Sequence, residues 1–446
     1  MSQEQSPPPT TSDHYDPKSH ISVLNSLSSS SFPSEADRLS ALSAARSLVR
    51  RLEQPWERMY DIAWVQPAFL ASFRTAQLLN IFAHLTSTPQ SSRELGQKVS
   101  ADPALLRRLM RVLVKEGVVG EGPRHASSTS SSIQASAQIS NESDDDTYIS
   151  TPFTQALTSP TGIITGLDIY YLAGIPQHSH LPSHFATHNY QNPTDGDHPP
   201  WKWNAGIPDY EGDRWEWYNE PEQKELSEKF NAFLSAVRKD SPPWTDLYPE
   251  QRMTSLLESW DESTPLLVDV GGGRGRDISN FAAFLSSLAP STTTSSTSSK
   301  PYSTVPLLLL LERPTLLSTL TLPSNITPLP HNFFHPSPPS AQAAKIYFLH
   351  AVLHDWSSSL ASQILTRIRE AMKPSYSRLI IFDRVVPERA GDWDVKTAAL
   401  DINMMCNFAA LERTEGQWKA LIEGAGLRYL GCVRVAGQSD FLEAEL

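Results

Sequence analysis

Cysteine is nearly absent from this 446-residue chain: only Cys406 and Cys432 occur, too few for a disulfide framework or a cysteine-built metal site. No apolar run approaches the roughly twenty residues that a spanning helix needs. The opening stretch, MSQEQSPPPTTSDHYDPKSH, lacks the basic-then-apolar order of a secretory signal. Basic charge is also short. Thirty-seven Lys and Arg against 49 Asp and Glu give a formal net charge of -12, which disfavours a phosphate-backbone partner. The expectation is a soluble, cytoplasmic protein with neither a nucleic-acid nor a membrane partner. Its length allows two domains and a sizeable core.

What the chain does have is a glycine turn in an apolar setting. Residues 266–276 read LLVDVGGGRGR. Apolar residues leading through Asp269 into Gly271, Gly272 and Gly273 predict a buried parallel strand that breaks into a tight turn. Residues without Cβ let backbone N–H groups approach a ligand closely. From Asp277 to Leu288 the apolar positions Ile278, Phe281, Ala282 and Leu285 share one helix face. A strand, a glycine turn and a donor-rich helix start make a cradle suited to a ligand carboxylate. The dinucleotide fingerprint fails, because Arg276 and Ile278 stand where its third glycine belongs in the two available frames. A second apolar run, Val305 to Leu311, ends in Glu312, an acid placed to grip a ribose diol. The Ser/Thr/Pro-rich stretch from Ala289 to Thr304 reads as a surface insertion between the helix and that strand.

Three downstream segments are more specific: HNFFHPSPPSAQAAKIYFLHAVLHDW at 331–356, LIIFDRVVPE at 379–388 and DINMMCNFAALERTEGQW at 401–418. In this order the chain resembles the class I S-adenosylmethionine-dependent O-methyltransferases of the caffeic acid type, including their fungal secondary-metabolite branch. The resemblance runs from about Asp37 to the C-terminus. It implies an α/β fold: a Rossmann-like doubly wound methyltransferase domain preceded by a mainly helical winged-helix dimerisation domain. The implied cofactor is S-adenosyl-L-methionine, and the implied partners are a small aromatic hydroxyl-bearing acceptor and a second copy of the chain.

By the same resemblance His354 is the general base, with Asp383 and Glu412 as the two acids that hold its ring. The chemistry suits those residue types. A phenol titrates near ~10 and imidazole near ~6.5, so a positioned histidine can take the proton as the methyl moves. A carboxylate on the far ring nitrogen fixes the tautomer and stabilises the imidazolium. No metal is required. Asp383 is one methylene shorter than the family's usual glutamate. The cofactor set is Asp269, Gly271, Gly272, Gly273, Glu312, Asn332, Phe333 and His350. Asn332 replaces the usual aspartate at the adenine, and His350 replaces a usual Lys or Arg. Asn403, Met404 and Asn407 lie where relatives floor the acceptor pocket, with Met405 beside them. Asp355 and Trp356 read as buttresses of the loop.

The domain expectation is a disordered Ser/Pro-rich segment over 1–36 and a helical winged-helix domain over 37–165. A helical, aromatic-rich connecting region lining the substrate site follows over 166–250, and the catalytic domain spans 251–446. Asp102 and Pro103 start a helix whose Leu105, Leu106, Leu109 and Leu113 are expected to face inward. Arg107, Arg108, Arg111 and Lys115 on that helix, with a wing over 122–146, also fit a non-catalytic winged-helix regulator. The acidic wing residues Asp144, Asp145 and Asp146 oppose this. A further alternative keeps the fold and cofactor but catalyses a dehydration or pericyclic rearrangement. Retention of His354, Asp383 and Glu412 opposes that one.

Overall fold

A computed structural model describes residues 16–123, 146–159, 162–239, 241–288 and 304–446. Most of the wing, the start of the Ser/Pro-rich N-terminal segment and nearly all of the Ser/Thr insertion lie outside the described residues. The chain divides into two compact units, one within 1–81 and 89–148, the other within 82–88 and 149–446. The region 166–250, expected as a separate connector, is thus packed into the same unit as the catalytic sheet.

In the first unit the structure corrects two expectations. Residues 16–36 are not featureless: Asp16 caps a helix Pro17–Ser26, its carboxylate accepting from the amides of Lys18 and Ser19. Proline at the first helical position needs no amide bond, so this Pro-rich stretch favours a helix start. The helix Pro103–Lys115 does begin at Asp102, whose side chain accepts from Ala104 N at 2.8 Å. Its buried face, however, is Leu106, Arg107, Met110 and Leu113; Leu105 is exposed and Leu109 only half-buried. The inward stripe is rotated by about one residue, with Met110 one helical turn after Leu106 on the buried face. Helices Pro17–Ser26, Glu35–Leu52 and Pro55–Tyr60 bury no side chain at all.

The second unit is built on a seven-stranded sheet. Its strands are β1 (Leu267–Val270), β2 (Leu308–Glu312), β3 (Ile326–Pro330), β4 (Ile346–His350), β5 (Arg378–Asp383), β6 (Arg428–Val433) and β7 (Asp440–Glu445). Their order is β6-β7-β5-β4-β1-β2-β3. All neighbours are parallel except β7, which runs antiparallel to both β5 and β6. The uninterrupted apolar runs follow from burial on both faces. Val268, Leu309, Tyr347 and Leu349 meet the helix α2 (Ser358–Ala371) on one face. Leu267, Leu308, Leu310 and Phe348 meet the helix α1 (Arg276–Ser287) on the other. Each such fully buried side chain contributes roughly 1.5–3 kcal/mol. Pro328 and Pro330 are tolerated because β3 is an edge strand. Strand order reverses between β1 and β4, and the carboxyl ends of those two strands open the crevice where such sheets bind ligands.

Candidate active site

The turn after β1 needs its glycines. Gly271, Gly273 and Gly275 adopt φ of 67°, 57° and 73°, a region disfavoured for other residues. A Cβ on Gly272 would lie 2.3 Å from Asp269 Oδ2, and nothing stands within 4 Å of one on Gly273. The turn is therefore tight beneath and open above. Gly273 N donates to Glu312 Oε2 at 2.9 Å and Arg313 N to Oε1 at 2.7 Å, which aims the carboxylate across the turn. Burial raises the Glu312 carboxyl from its ordinary value, and those two amides oppose it. Asp269 is fully buried, and among the described residues neither carboxylate oxygen has a well-formed hydrogen-bond partner, the Ile278 amide being the nearby donor. Burial, reinforced by Asp277 and Glu312, holds its carboxyl well above the usual range. Orphaned acceptors under an open, donor-bearing turn fit a ligand that carries amino, carboxylate and ribose groups.

Phe333 packs at the same place, since a Cβ on Gly271 would lie 3.4 Å from its ring and 3.3 Å from Val352 Cγ2. Asn332 is exposed, and its Oδ1 accepts from Phe334 N at 3.0 Å. That turn occupies one lone pair of the oxygen expected to face the adenine. His350 ends β4 and gives its Nδ1 to Asp277 Oδ2 at 2.8 Å.

His354 sits two residues beyond Val352, in the 3-10 turn Leu353–Asp355. Its Nδ1 pairs with Glu412 Oε1 at 3.1 Å, and its Nε2 lies 3.6 Å from Asp355 Oδ1. Glu412 is buried, its amide donating to Asp401 Oδ1 at 2.8 Å. Arg413 is the clamp of the loop: its guanidinium donates to the carbonyls of Leu353 at 2.8 Å and Trp356 at 2.9 Å. Asp383 is also buried at the end of β5, yet it makes no hydrogen bond to the imidazole. Its Oδ1 accepts from Arg384 N at 2.8 Å, and Oδ2 has no partner. The expected two-acid grip is therefore one hydrogen bond, to Glu412, and one nearby charge, Asp383.

Burial alone would lower the His354 pKa. The carboxylates of Asp355 and Asp383 and the hydrogen bond to Glu412 outweigh it and push the imidazole up to about 10. Burial, aided by Asp383 and Glu412 and opposed by His354, pushes Asp355 up to about 6. Asp383 is raised by burial as well. Asp355, Arg413, Asp401 and Asp277 were missed as site residues. Only Asp355, adjacent to the motif histidine, carried a sequence signal.

The helix α3 (Val395–Phe408), which carries Asn403, Met404 and Asn407, packs against the turn that carries His354. Asn407 Nδ2 donates to Asn403 Oδ1 at 3.0 Å, so the two amides form one fixed unit, with Met404 buried beside them. Phe408 stacks on Trp215 with ring centroids 5.7 Å apart, and Phe230 packs against both Trp215 and Tyr218. Trp201, Trp217 and Tyr218 surround the Arg214 guanidinium at 4.6, 4.3 and 4.8 Å, which identifies them as packing around a buried cation.

Known proteins share the O-methyltransferase domain and the fold. Residues 312–428 match the model of the O-methyltransferase domain. The chain is similar to the O-methyltransferase mfmE of Annulohypoxylon moriforme, 30% identical over 434 residues and covering 96% of each chain. It is also similar to the O-methyltransferase mpaG of Penicillium brevicompactum, 27% identical, covering 96% of this chain and 98% of that one. Among solved structures, LepI in complex with SAM has a TM-score of 0.73 at 25% identity, covering 96% and 97% of the two chains. An enzyme described as a pericyclic reaction enzyme has a TM-score of 0.74 at 24% identity, over 96% and 99%, and shares the fold.

Proposed function

The chain belongs to the S-adenosylmethionine-dependent O-methyltransferases, and on that premise we propose that it methylates a hydroxyl of a small aromatic acceptor, with His354 as general base. One observation carries the reading: the His354–Glu412 pair at 3.1 Å stands on the loop that packs against the glycine turn through Val352. S-adenosylmethionine supplies an activated methyl carbon and a positive charge that opposes protonation of a neighbouring imidazole. Asp269, Gly271, Gly272, Gly273, Glu312, Phe333 and His350 are the residues that would hold it.

In this reading His354 Nε2 accepts the acceptor's hydroxyl proton while Glu412 keeps Nδ1 protonated and the ring oriented. An imidazole pushed up to about 10 matches a phenol near ~10, so the proton passes between groups of similar affinity. Asp383 acts as a nearby charge that stabilises the imidazolium. Arg413 holds the loop so that the acceptor oxygen, methyl donor and base stay aligned, and alignment supplies much of the rate. The Asn403–Asn407 unit and Met404 floor the acceptor site, with Trp215 and Phe408 offering a stacked aromatic wall.

The test is incubation with methyl-labelled cofactor and a panel of phenols, read as labelled product together with S-adenosylhomocysteine. Consumption of the acceptor without S-adenosylhomocysteine would favour a rearrangement or dehydration on the same fold. We further propose a homodimer through the N-terminal helices. Trp56, Met59, Tyr60, Ile62 and Trp64 are exposed on consecutive turns, a large apolar surface for one copy to leave in water. Sedimentation should give twice the chain mass, and Trp56→Glu with Trp64→Glu should give a monomer.

A further inference from the structure

Glu412 has two carboxylate oxygens, and the base accounts for only one of them. Oε1 takes the His354 ring, whereas Oε2 is buried and has no hydrogen-bond partner among the described residues. A buried carboxylate oxygen without a donor is costly. Within ion-pair reach of it stands Arg384, whose Nε lies 3.9 Å from Oε2; its side chain is 47% exposed, that of Glu412 not at all. Arg384 directly follows Asp383, and its backbone is pinned on both sides. The amide donates to Asp383 Oδ1 at 2.8 Å, and the carbonyl accepts from the Trp418 indole at 3.0 Å. The guanidinium is held as well: Nη1 donates to Thr397 Oγ1 at 3.1 Å, and that hydroxyl donates to Asp394 Oδ2 at 2.6 Å. Asp394 caps α3, its other oxygen accepting from the amides of Lys396 and Thr397 at 2.9 and 3.0 Å. A polar chain therefore runs from the start of α3 through Arg384 to Glu412 and His354. Arg413, the other cation near Glu412, has its guanidinium committed to the carbonyls of Leu353 and Trp356.

We propose that Arg384 is a positioning residue for the general base: it anchors the outer oxygen of Glu412 and so keeps Oε1 on His354 Nδ1 while the ring takes the acceptor's proton. The proposal rests on the reading of His354 as that base. Its physical reason is geometric. The last torsion of a glutamate side chain is a broad well, so one hydrogen bond fixes one oxygen and leaves the plane of the carboxylate free to swing. A cation on the second oxygen removes that freedom. The planar fork of arginine can meet a carboxylate and a hydroxyl together, which a compact ammonium does less well. At 3.9 Å and half-exposed the attraction is screened by solvent, so the effect falls on the alignment of the base rather than on stability.

The test is a double-mutant cycle on the full chain, read as methyl transfer at saturating cofactor and acceptor, alongside melting temperature. Arg384→Met should lower kcat about five- to tenfold, with KM for the cofactor within about twofold of wild type. In a Glu412→Gln background the same change should lower kcat less than about twofold, because the group that Arg384 anchors then carries no charge. Arg384→Lys should keep at least about a third of wild-type kcat, since the charge survives. Arg384→Gln, neutral but polar, should lose as much as Arg384→Met, and it keeps the idea testable if the methionine variant fails to fold. A readout independent of turnover is the His354 Nδ1 proton in NMR, assigned by its loss in His354→Gln. Bonded to a carboxylate it resonates far downfield, and Arg384→Met should move it upfield. Undiminished kcat in Arg384→Met overturns the proposal. So do equal losses in both backgrounds, which would place the effect on α3 through Thr397 instead. Wild-type protein that methylates no phenol would overturn the base reading, while the NMR comparison would still decide whether Arg384 anchors Glu412.

Discussion

Two histidines four residues apart, His350 and His354, each give Nδ1 to a carboxylate, at 2.8 Å and 3.1 Å. They differ in what surrounds the pair. His350 closes a strand, against an aromatic ring and next to a helix start, with one principal acid. His354 stands on a turn held by Arg413 and faces three carboxylates, Asp355, Asp383 and Glu412, that push it up to about 10. The first environment suits a ring fixed for binding, the second a proton acceptor tuned to a phenol. Residue type and partner are shared, so the neighbouring charges and the loop decide the role.

The comparison breaks first at His354. Replacing it with alanine should lower kcat by about 10²- to 10⁴-fold with little change in cofactor affinity. Equal losses in His350→Gln and His354→Ala, in both kcat and binding, would erase the distinction. Next is Glu412→Gln, expected to cost about 10²-fold in kcat. The acid side of the kcat/KM profile sharpens the same point. Protonated His354 cannot take a proton, so activity should rise with pH toward about 10 in the wild type, and Glu412→Gln should move that rise to lower pH. A flat profile from 7 to 10 would argue against a raised imidazole.

Arg413→Met should destabilise the protein by about 2–4 kcal/mol, since two buried carbonyls lose their donors. Urea unfolding reads that loss, and kcat should fall with it. Asp383→Asn should have a smaller effect on turnover, under about tenfold, because its carboxylate influences His354 through charge alone. A loss as large as that of Glu412→Gln would mean Asp383 contacts the ring during turnover. The pH dependence of stability tests the same raised imidazole. With a folded pKa raised above its ordinary 6.5, His354 contributes stability that is full below about 6.5 and lost as pH rises through about 10. The melting temperature of wild type should therefore decline relative to His354→Gln across that window.

Much of the catalytic unit is legible along the chain. The apolar runs that become β1 and β2, the glycine turn and the face of α1 formed by Ile278, Phe281, Ala282 and Leu285 all lie where periodicity places them. The N-terminal unit was harder. Leu105 belongs to an apolar stripe yet points outward, because helical spacing admits neighbouring stripes and only the packing partner selects one. The aromatic cluster around Arg214 was illegible in its purpose: tryptophans lining a pocket and tryptophans enclosing a cation have the same composition.

The sequence alone determined the strand before the glycine turn, the turn itself, the strand that ends in Glu312 and the family to which the motifs point, since these depend on local spacing and residue type. Tertiary structure decided which acids meet which histidines. Glu412 reaches His354 across 58 residues, and His350 reaches Asp277 across 73. Those distances close only when β4 pairs with β1 and α3 returns over the loop, an arrangement that no local pattern encodes. The same folding left Asp383 acting on His354 through charge alone, with its Oδ1 turned to the Arg384 amide.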